Sequence, residues 1–399
     1  MGLRRVCPNM LSALLAGGLA IGVGTLAACG TSGQPPASTA QPPASTAQPL
    51  ASTAQLTAAG RAADPLVGPT SATFVSASTG WLIGLKICSK PDCSALELRK
   101  TTDGGRHWFP VTAPPAPALS LHARPDSVSQ LVFANTTDGW AFDPGLWATH
   151  DGGASWHLVD THGLEVTSLA ASAGHAVAVL SPCKPFTACG KFRVDTAAVG
   201  SDKWLAVPGT AGRGLATVTT SGKTGYLGIL PGPGVGAPRL LAGPVSGRAR
   251  WRPLQVPCRQ DWGADGPALG AAPRGTLVLA CGSEPGAGNQ RKQAYLSAND
   301  GRTWRRLANP PTSGYLGQVA VTSAGTIFIS GDRSDVYISR DGGRSWHTSA
   351  SLDRADIGDG LAATMVTSTE GFVLQATVHL GQIWLTYNDG RTWQPVSTR

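Results

Sequence analysis

The residues that could catalyse hydrolysis are few in this 399-residue chain, and they share no linear motif. No GxSxG or HExxH sequence is present, and the eight histidines are scattered. The only glutamates are Glu97, Glu165, Glu284 and Glu370. Aspartates between predicted strands are Asp126, Asp261, Asp265, Asp335, Asp356 and Asp359. Two carboxylates on separate loops can hydrolyse glycosides without a linear signature, but solvated loop aspartates are commoner, so no catalytic residue, metal site or cofactor is predicted.

The N-terminal segment has the pattern of a secretion signal. Arg4 and Arg5 precede an apolar run of small residues that ends in Leu-Ala-Ala-Cys at Cys29. This pattern is typical of a signal peptide over residues 1–29. It resembles the lipobox of bacterial lipoproteins, which implies a lipid on the Cys29 sulfur and a location on the outer face of the cytoplasmic membrane. An uncleaved membrane helix is the alternative, but the glycines in the run disfavour it.

A tether follows the signal. Residues 30–69 contain QPPASTA twice and QPLASTA once in direct succession. Such a sequence has too few large apolar residues to form a core, and its prolines keep it partly extended. We therefore expect a spacer that holds the remaining chain away from the membrane. O-glycosylation of its Ser and Thr residues is the alternative to a plain spacer.

Six cysteines remain after Cys7 in the leader and the lipidated Cys29 are set aside. They are Cys88, Cys93, Cys183, Cys189, Cys258 and Cys281. An even number of cysteines outside the cytoplasm suggests three disulfides. Metal ligation is disfavoured because no CxxC pair or matched histidine spacing occurs.

A repeated segment organises the chain beyond residue 70. Five copies combine a Ser or Thr, an Asp or Asn two residues later, a Gly and a Trp. Their Asp or Asn and Trp residues are Asp103 and Trp108, Asp151 and Trp156, Asn299 and Trp304, Asp341 and Trp346, and Asn388 and Trp393. Degenerate copies end at Trp204 and Trp251, which completes seven units of similar length.

The five segments resemble the Asp box, or BNR repeat, S/T-x-D-x-G-x-S/T-W. Glycine supplies a turn residue with positive φ, and the Asp or Asn side chain accepts turn N–H groups. The Trp buries a large surface against neighbouring strands. Because structure explains each position, these carboxylates are not proposed as catalytic or metal-binding.

A second glycine marker runs in phase with the Asp boxes. Apolar strands flank Gly80, Gly139, Gly174, Gly225, Gly275, Gly325 and Gly371. Four short strands per unit, repeated seven times, predict an all-β, seven-bladed β-propeller of four-stranded antiparallel blades over residues 70–399. The ring could close by joining two intact blades, or Ala62–Pro69 could add a strand to the last blade.

The cysteines mark one face of this predicted ring. In a propeller, the turns between second and third strands and the connections between blades emerge opposite the Asp boxes. The repeat map narrows the pairings to three bridges on that face: Cys88 with Cys93 in unit 1, Cys183 with Cys189 in unit 3, and Cys258 with Cys281 in unit 5. Either the bridges mark a ligand-binding face, or they merely stabilise long loops.

Asp boxes are associated with sialidases, and that resemblance implies an arginine triad, a Tyr nucleophile backed by Glu, and an Asp acid. The chain has no F/Y-R-I-P segment, and it has seven repeats where sialidases have six blades. Sialidase activity is therefore disfavoured. The seven-unit pattern is also similar to the propellers of photosystem II assembly factors and sortilin-type proteins, which implies protein or peptide binding without catalysis.

The combined prediction is a lipid-anchored, extracytoplasmic, monomeric scaffold that binds a protein or another ligand. The candidate contacts, chosen by loop position and chemistry, are Lys90, Arg124, Arg259, Trp262, Arg291 and Arg333. Nucleic acid is not expected as a partner, because the net charge of +8 is scattered rather than clustered. The alternative is a glycan-binding or glycoside-hydrolysing propeller, in which Trp147 or Trp262 would stack on a sugar.

Overall fold

The computed structural model of this chain describes almost only β-strands. The described residues are 67–87, 94–117, 124–182, 190–230, 237–258, 265–284, 286–331, 336–349, 361–375 and 382–396. The single helix within these ranges is a 3₁₀ turn at Pro273–Gly275. No helix among the described residues is long and apolar enough to cross a membrane.

The strands of the first four blades follow the chain in order. Blade 1 contains β1 (Val67–Phe74), β2 (Gly80–Ile87), β3 (Ser94–Thr101) and β4 (Phe109–Val111). Blade 2 contains β5 (Gln130–Phe133), β6 (Gly139–Phe142), β7 (Leu146–Thr149) and β8 (His157–Leu158). Blade 3 contains β9 (Glu165–Ser172), β10 (His175–Ser181), β11 (Arg193–Ala198) and β12 (Leu205–Ala206). Blade 4 contains β13 (Leu215–Ser221), β14 (Thr224–Leu230), β15 (Arg239–Pro244) and β16 (Arg252–Leu254).

The last three blades repeat the same order. Blade 5 contains β17 (Asp265–Ala272), β18 (Thr276–Gly282), β19 (Lys292–Ser297) and β20 (Arg305–Arg306). Blade 6 contains β21 (Val319–Val321), β22 (Ile327–Ile329), β23 (Tyr337–Ser339) and β24 (His347–Thr348). Blade 7 contains β25 (Leu361–Met365), β26 (Gly371–Gln375), β27 (Gln382–Thr386) and β28 (Gln394–Pro395).

Each blade is built from one continuous stretch of chain. In the described ranges, the strands form seven four-stranded antiparallel sheets, each with its strands in sequence order. The seven sheets form a ring, which confirms the predicted seven-bladed propeller. The first strand begins at Val67, three residues before the domain boundary that the sequence predicts at residue 70.

The ring closes by joining two complete blades. β1 pairs with β2 in blade 1, and β28 pairs with β27 in blade 7. The rings of Phe74 and Phe372 lie 5.6 Å apart across the closure. The hydroxyl of Tyr387 also donates a hydrogen bond of 3.0 Å to the carbonyl of Gly104. The first of the two closures considered from the sequence is therefore the one observed.

The hydrophobic core lies between neighbouring blades. Trp81 of blade 1 stacks on Phe133 of blade 2 with ring centroids 3.7 Å apart, and the Trp81 side chain is fully buried. β6 is buried at every position because blades cover both of its sheet faces. Burial of such a side chain contributes up to about 3 kcal/mol. The second strands therefore read as continuous apolar runs rather than as an alternating pattern.

Hydroxyl side chains connect the innermost strands. The backbone N–H of Leu131 in blade 2 donates to Ser71 Oγ in blade 1 at 3.1 Å, and the N–H of Val218 in blade 4 donates to Ser168 Oγ in blade 3 at 3.1 Å. An inner strand has one edge without a partner strand, and its backbone groups need other partners. At these two positions, a serine hydroxyl of the neighbouring blade accepts the hydrogen bond of the backbone N–H.

All seven repeat tryptophans occupy one structural position. Each directly precedes the fourth strand of its blade, and this includes Trp204 before β12 and Trp251 before β16. The two degenerate copies inferred from the sequence are thus in register with the other five. The indole N–H of Trp156 donates to the Thr112 carbonyl of the preceding blade at 2.9 Å, so the residue links blades as well as filling space.

The Asp-box glycines let neighbouring blades approach closely. Gly343 in blade 6 has φ of 83°, and a Cβ placed there would lie 2.5 Å from Leu307 Cδ1 of blade 5. A Cβ placed on Gly105 in blade 1 would likewise lie 2.5 Å from Leu385 Cδ1 of blade 7. Glycine is therefore required here both by backbone conformation and by the contact between blades.

Replacement of Gly343 by alanine should destabilise the ring more than replacement of a glycine that has the same backbone conformation but open space around it. Gly325, also in blade 6, has φ of 89° and nothing within 4 Å of its Cβ position. We expect Gly325→Ala to cost about 1–2 kcal/mol for the left-handed conformation. Gly343→Ala should cost a further 1–3 kcal/mol, roughly, for the clash. Urea unfolding measures both values, and equal costs would contradict the contact between blades.

Candidate functional site

The propeller has two chemically different faces. The Asp-box face carries the turns between third and fourth strands, and the connection face carries the turns between second and third strands together with the connections between blades. This assignment follows from the antiparallel order within each blade. Arg124 and Arg291, the candidate contacts that lie within the described residues, belong to segments of the connection face.

On the Asp-box face, the repeat carboxylates are engaged in closing their own turns. Asp103 Oδ1 accepts hydrogen bonds from Thr101 Oγ1 at 2.9 Å and from the His107 backbone N–H at 3.0 Å. Hydrogen bonds from His107 hold the pKa of Asp103 well below its usual range. Asp151 and Asp341 make the corresponding bonds to Ser155 and Ser345, which lower the pKa of each carboxyl in the same way.

The two Asn-containing boxes close in the same manner with an amide. Asn299 Oδ1 accepts from the Thr303 N–H at 3.0 Å, and its Nδ2 donates to Thr303 Oγ1 at 2.9 Å. Asn388 repeats both bonds with Thr392. Since an amide serves as well as a carboxylate, this position has a structural role, as the sequence predicted.

Among the described residues, one disulfide bridge is present on the connection face. Cys258, after β16, is bonded to Cys281, and their Cα atoms are 5.8 Å apart. The bridge confirms the predicted pairing in unit 5. Cys281 lies within β18 rather than at the start of the following turn. The other predicted bridging residues, Cys88, Cys93, Cys183 and Cys189, lie outside the described residues, as does Cys29.

Two of the six candidate contacts fall within the described residues. Arg124 is exposed, and its Nε and Nη2 donate to the two carboxylate oxygens of Asp126 at 3.1 Å each. Arg291 is also exposed and lines a cleft on blade 5. The remaining candidates, Lys90, Arg259, Trp262 and Arg333, lie outside the described residues. The structure thus places Arg124 and Arg291 on different blades and does not bring them together.

Trp147 is not available to stack on a sugar. Its side chain is buried, with 9% exposed, and its indole N–H donates to the Asp126 carbonyl at 3.0 Å. Packing in the core between blades 1 and 2 is its observed role. A carbohydrate platform on this residue is therefore excluded by its burial.

The cleft on blade 5 has a volume of about 440 Å³. Its lining residues are Ser283, Glu284, Gly286, Asn289, Gln290, Arg291 and Thr312. Gln290 is buried beneath it, where its Nε2 donates to the Ser283 carbonyl at 2.7 Å and its Oε1 accepts from the Leu316 N–H at 2.6 Å. These bonds join the second-to-third turn of blade 5 to the connection that enters blade 6, so the cleft is preformed.

A buried lysine fixes the wall of the cleft formed by that connection. Lys292 is only 2% exposed, and its ammonium donates to main-chain carbonyls, with the shortest distances to Gly314 at 2.8 Å and Ser313 at 2.9 Å. Burial lowers the pKa of Lys292 to about 8. The bonds hold the segment that contributes Thr312 to the cleft, which favours a rigid site.

Two carboxyl groups lie on the connection face where blade 2 adjoins blade 3. Asp143 follows β6, and Glu165 begins β9; the two segments are joined by a hydrogen bond of 2.8 Å from the Val166 N–H to the Pro144 carbonyl. Burial raises the pKa of Asp143 to about 6 against the effect of the Ser129 hydroxyl, which donates to it. Burial, and then the charge of Asp143, raise the pKa of Glu165 to about 7. Such a pair can hold and release protons near neutral pH.

The central channel is narrow and uncharged along its described lining. Its volume is about 330 Å³. The lining residues on or directly before the innermost strands include Thr70, Gln130, Ser168, Thr217, Leu269, Gln318 and Thr364. The channel offers hydroxyl and amide groups but, among the residues described, no charged side chain. The blade 5 cleft, which contains both a carboxylate and a guanidinium, is the stronger candidate for specific binding.

The repeat geometry agrees with known sequence and structural relatives. Residues 337–348, from β23 through the sixth Asp-box turn to β24, match the sequence model of the BNR/Asp-box repeat. The chain thus combines a seven-bladed β-propeller with a BNR/Asp-box repeat in blade 6. No curated protein sequence matches this propeller.

Several solved structures share the propeller fold. YCF48 bound to D1 peptide is 18% identical, with 81% of this chain and 94% of that chain covered and a TM-score of 0.53. YCF48 from Cyanidioschyzon merolae is 17% identical, with 81% of this chain and 96% of that chain covered and a TM-score of 0.53. An ancestral GH74 enzyme is 16% identical, with 84% of this propeller's chain and 47% of that chain covered and a TM-score of 0.56. Identities this low show a common fold and no more.

Sequence reasoning did not single out the carboxylate pair or the buried lysine. Glu165 was one of four scattered glutamates, and Asp143 was not among the loop aspartates considered. The signal available in the sequence was a Glu at the start of a predicted innermost strand, where apolar or hydroxyl residues are usual. Such a position indicates a buried carboxyl group. Lys292 carried a similar signal, since it begins a third strand that is otherwise buried.

The stability of the propeller should fall as pH rises through the titration of Glu165. A carboxyl whose pKa is raised in the folded state binds its proton more tightly there. The protonated Glu165 therefore stabilises the fold fully at pH values below its ordinary pKa of 4.5, and this stabilisation is lost as the pH rises through the folded-state pKa of about 7. Between pH 4.5 and 8, wild type should lose about 3 kcal/mol more than Glu165→Gln. Urea unfolding at several pH values measures this loss. Glu284→Gln, in an exposed loop, should behave as wild type; equal pH slopes in wild type and Glu165→Gln would contradict the assignment.

Proposed function

We propose that the propeller binds a polypeptide segment of a partner protein in the blade 5 cleft, without catalysis. The preformed cleft, with Glu284 and Arg291 at its rim and main-chain groups between them, carries this proposal. An extended peptide presents N–H donors, carbonyl acceptors and side-chain carboxylates, all of which the lining can pair. A rigid cleft also limits the entropy lost on binding.

A solved structure with a similar fold supports a binding role for the propeller. YCF48, whose fold is similar, has been solved in complex with a peptide. The Cys258–Cys281 bridge lies in the same blade as the cleft and fixes the connection that enters it. Loops on a rigid scaffold are the usual place for binding residues. A monomer with one cleft is sufficient for this role.

Replacement of Arg291 should weaken the proposed peptide contact. A photo-crosslinking amino acid at Asn289, in the cleft, should capture a protein partner when the full-length chain is expressed in its native membrane. Arg291→Glu should reduce that capture about 10-fold or more, because a charge-assisted hydrogen bond contributes about 1.5–3 kcal/mol. Arg302→Glu, which alters an exposed arginine in the Asp-box turn of the same blade, should leave the capture unchanged. Mass spectrometry of the crosslinked products provides the measurement.

Equal effects of Arg291→Glu and Arg302→Glu would refute the cleft as the binding site.

The carboxylate pair favours one second candidate function, glycoside hydrolysis, in which Glu165 would serve as the proton donor. Release of reducing sugar from a panel of polysaccharides by wild type, lost in Glu165→Gln, would support that function over peptide binding. Sialidase activity is not part of either proposal.

We also propose that the propeller works outside the cytoplasm, held to the membrane by lipid on Cys29. The leader and the lipobox pattern support this proposal. The acyl chains would anchor the protein, since each buried CH₂ group contributes about 0.8 kcal/mol. The tether, which ends before β1 begins at Val67, would then give the cleft access to membrane-bound or wall-bound partners.

Replacement of Cys29 by serine should release the propeller from the membrane. Without a thiol for lipid attachment, the hydrophobic anchor is lost. Fractionation should move the Cys29→Ser protein out of the detergent phase, while Cys7→Ser should remain there as wild type does. Mass spectrometry of the wild-type N-terminus should find acyl chains on Cys29. An unmodified Cys29 in a membrane-bound protein would rule out the lipid anchor.

A further inference from the structure

Two histidines and an aspartate converge on the Asp-box face where blade 2 meets blade 3. His150 Nε2 lies 3.3 Å from Asp202 Oδ1, and His157 Nε2 lies 2.7 Å from Asp202 Oδ2. The potential ligand atoms of all three residues lie within 4.8 Å of one another. The histidines belong to blade 2 and the aspartate to blade 3, so the cluster spans a junction between blades.

The cluster occurs where the Asp-box repeat breaks down. In complete boxes, an Asp or Asn stands five residues before the Trp, but Val199 occupies that position before Trp204 in blade 3. Asp202 instead stands two residues before this Trp, where Ala154 is found in the box of blade 2. Its carboxylate makes no Asp-box turn and is directed at the neighbouring histidines. The requirement for turn closure therefore does not account for Asp202.

A buried carboxylate holds His150 in one orientation. Asp138 Oδ1 lies 2.7 Å from His150 Nδ1, and its side chain is 13% exposed. The other oxygen of Asp138 accepts from Asn135 Nδ2 at 2.9 Å and from Thr137 Oγ1 at 2.8 Å. This arrangement of a carboxylate behind an imidazole is the usual support of a metal-ligating histidine.

The support from Asp138 fixes the chemistry of His150 Nε2. A neutral imidazole that donates its Nδ1–H to Asp138 presents the lone pair of Nε2 toward Asp202. In that state two acceptors face each other at 3.3 Å, and either a proton on Nε2 or a metal cation between them relieves the contact. His157 Nε2 converges on the second oxygen of the same carboxylate. A shared cation would satisfy both imidazoles and the carboxylate at once.

We propose that His150 Nε2, His157 Nε2 and the Asp202 carboxylate bind a divalent transition-metal ion of the zinc class. Zinc takes nitrogen and oxygen ligands at about 2.0–2.2 Å in tetrahedral geometry, which places neighbouring ligand atoms about 3.3 Å apart. The distance between His150 Nε2 and Asp202 Oδ1 already has this value. His157, with 47% of its side chain exposed, can shift to complete the geometry.

The ligand set indicates both the metal and the form of the site. Imidazole nitrogens favour zinc, copper or nickel over magnesium or calcium, which prefer oxygen ligands. Three protein ligands leave a fourth position for water or for a group of a partner molecule. Because the ligands come from two blades, bound metal would also join blade 2 to blade 3. This site lies on the face opposite the proposed peptide cleft and does not depend on it.

Titration of the tag-free, metal-free protein with Zn²⁺ tests the site. We expect one equivalent bound in competition with a chromophoric chelator, and a rise in the thermal unfolding midpoint on binding. His157→Gln and Asp202→Asn should each weaken the affinity at least 10-fold and remove the rise in the midpoint. Asp138→Asn should weaken it about 10–100-fold by loosening His150. Co²⁺ in place of Zn²⁺ should give the visible absorption of a tetrahedral nitrogen and oxygen site.

His347→Gln provides a matched control, because His347 follows the Asp-box Trp of blade 6 as His157 follows that of blade 2. This variant should bind Zn²⁺ as wild type does. Absence of stoichiometric binding to wild type would overturn the proposal. So would binding that His157→Gln and Asp202→Asn leave unchanged, or a Co²⁺ spectrum dominated by thiolate charge transfer, since cysteines would then be the ligands.

Discussion

The close approach of neighbouring blades at the Asp-box turns is the constraint on which the rest of the ring depends. A glycine in each complete box brings its backbone against an apolar side chain of the preceding blade, such as Leu307 beneath Gly343 and Leu254 beneath Gly301. At four of the five complete boxes, a Cβ on this glycine would lie within 2.8 Å of that side chain, so the side chain would have to shift; at Gly153 the nearest atom is 3.4 Å away. The contact fixes the spacing between blades, and this spacing lets the second strands become buried on both faces and lets serine hydroxyls reach the adjacent inner strand.

This constraint explains why so much of the fold could be predicted from the sequence. A glycine of positive φ and the Trp recur in every blade, and the Asp or Asn recurs in five of the seven, so the period of the repeat reports the number of blades directly. The degenerate copies could be found because Trp204 and Trp251 kept the period even without an Asp at the usual position. The mode of closure could not be predicted, because Ala62–Pro69 has a sequence compatible with either a tether or a strand. Only the pairing of β1 with β2 distinguishes the two.

The sites were less predictable because their chemistry arises between blades, where the repeat carries no information. Glu165 acquires its raised pKa from burial and from Asp143, which belongs to the preceding blade. The blade 5 cleft requires Gln290 to bond Leu316 across a connection. Arg291 could be proposed from loop position and charge alone, but its companions in the cleft could not. A linear reading identifies loops that can bind, whereas contacts between non-adjacent segments determine which groups meet.

The degenerate boxes separate what the ring requires from what it tolerates. Blades 3 and 4 lack the Asp or Asn five residues before the Trp, yet both form four-stranded sheets and take their places in the ring. Both keep a glycine of positive φ four residues before the Trp, Gly200 at 80° and Gly247 at 64°. The turn conformation and the Trp directly before the fourth strand are thus common to all seven blades. The carboxylate or amide is therefore the part of the repeat that can change without loss of the fold, and in blade 3 its loss leaves Asp202 to face two histidines of the neighbouring blade.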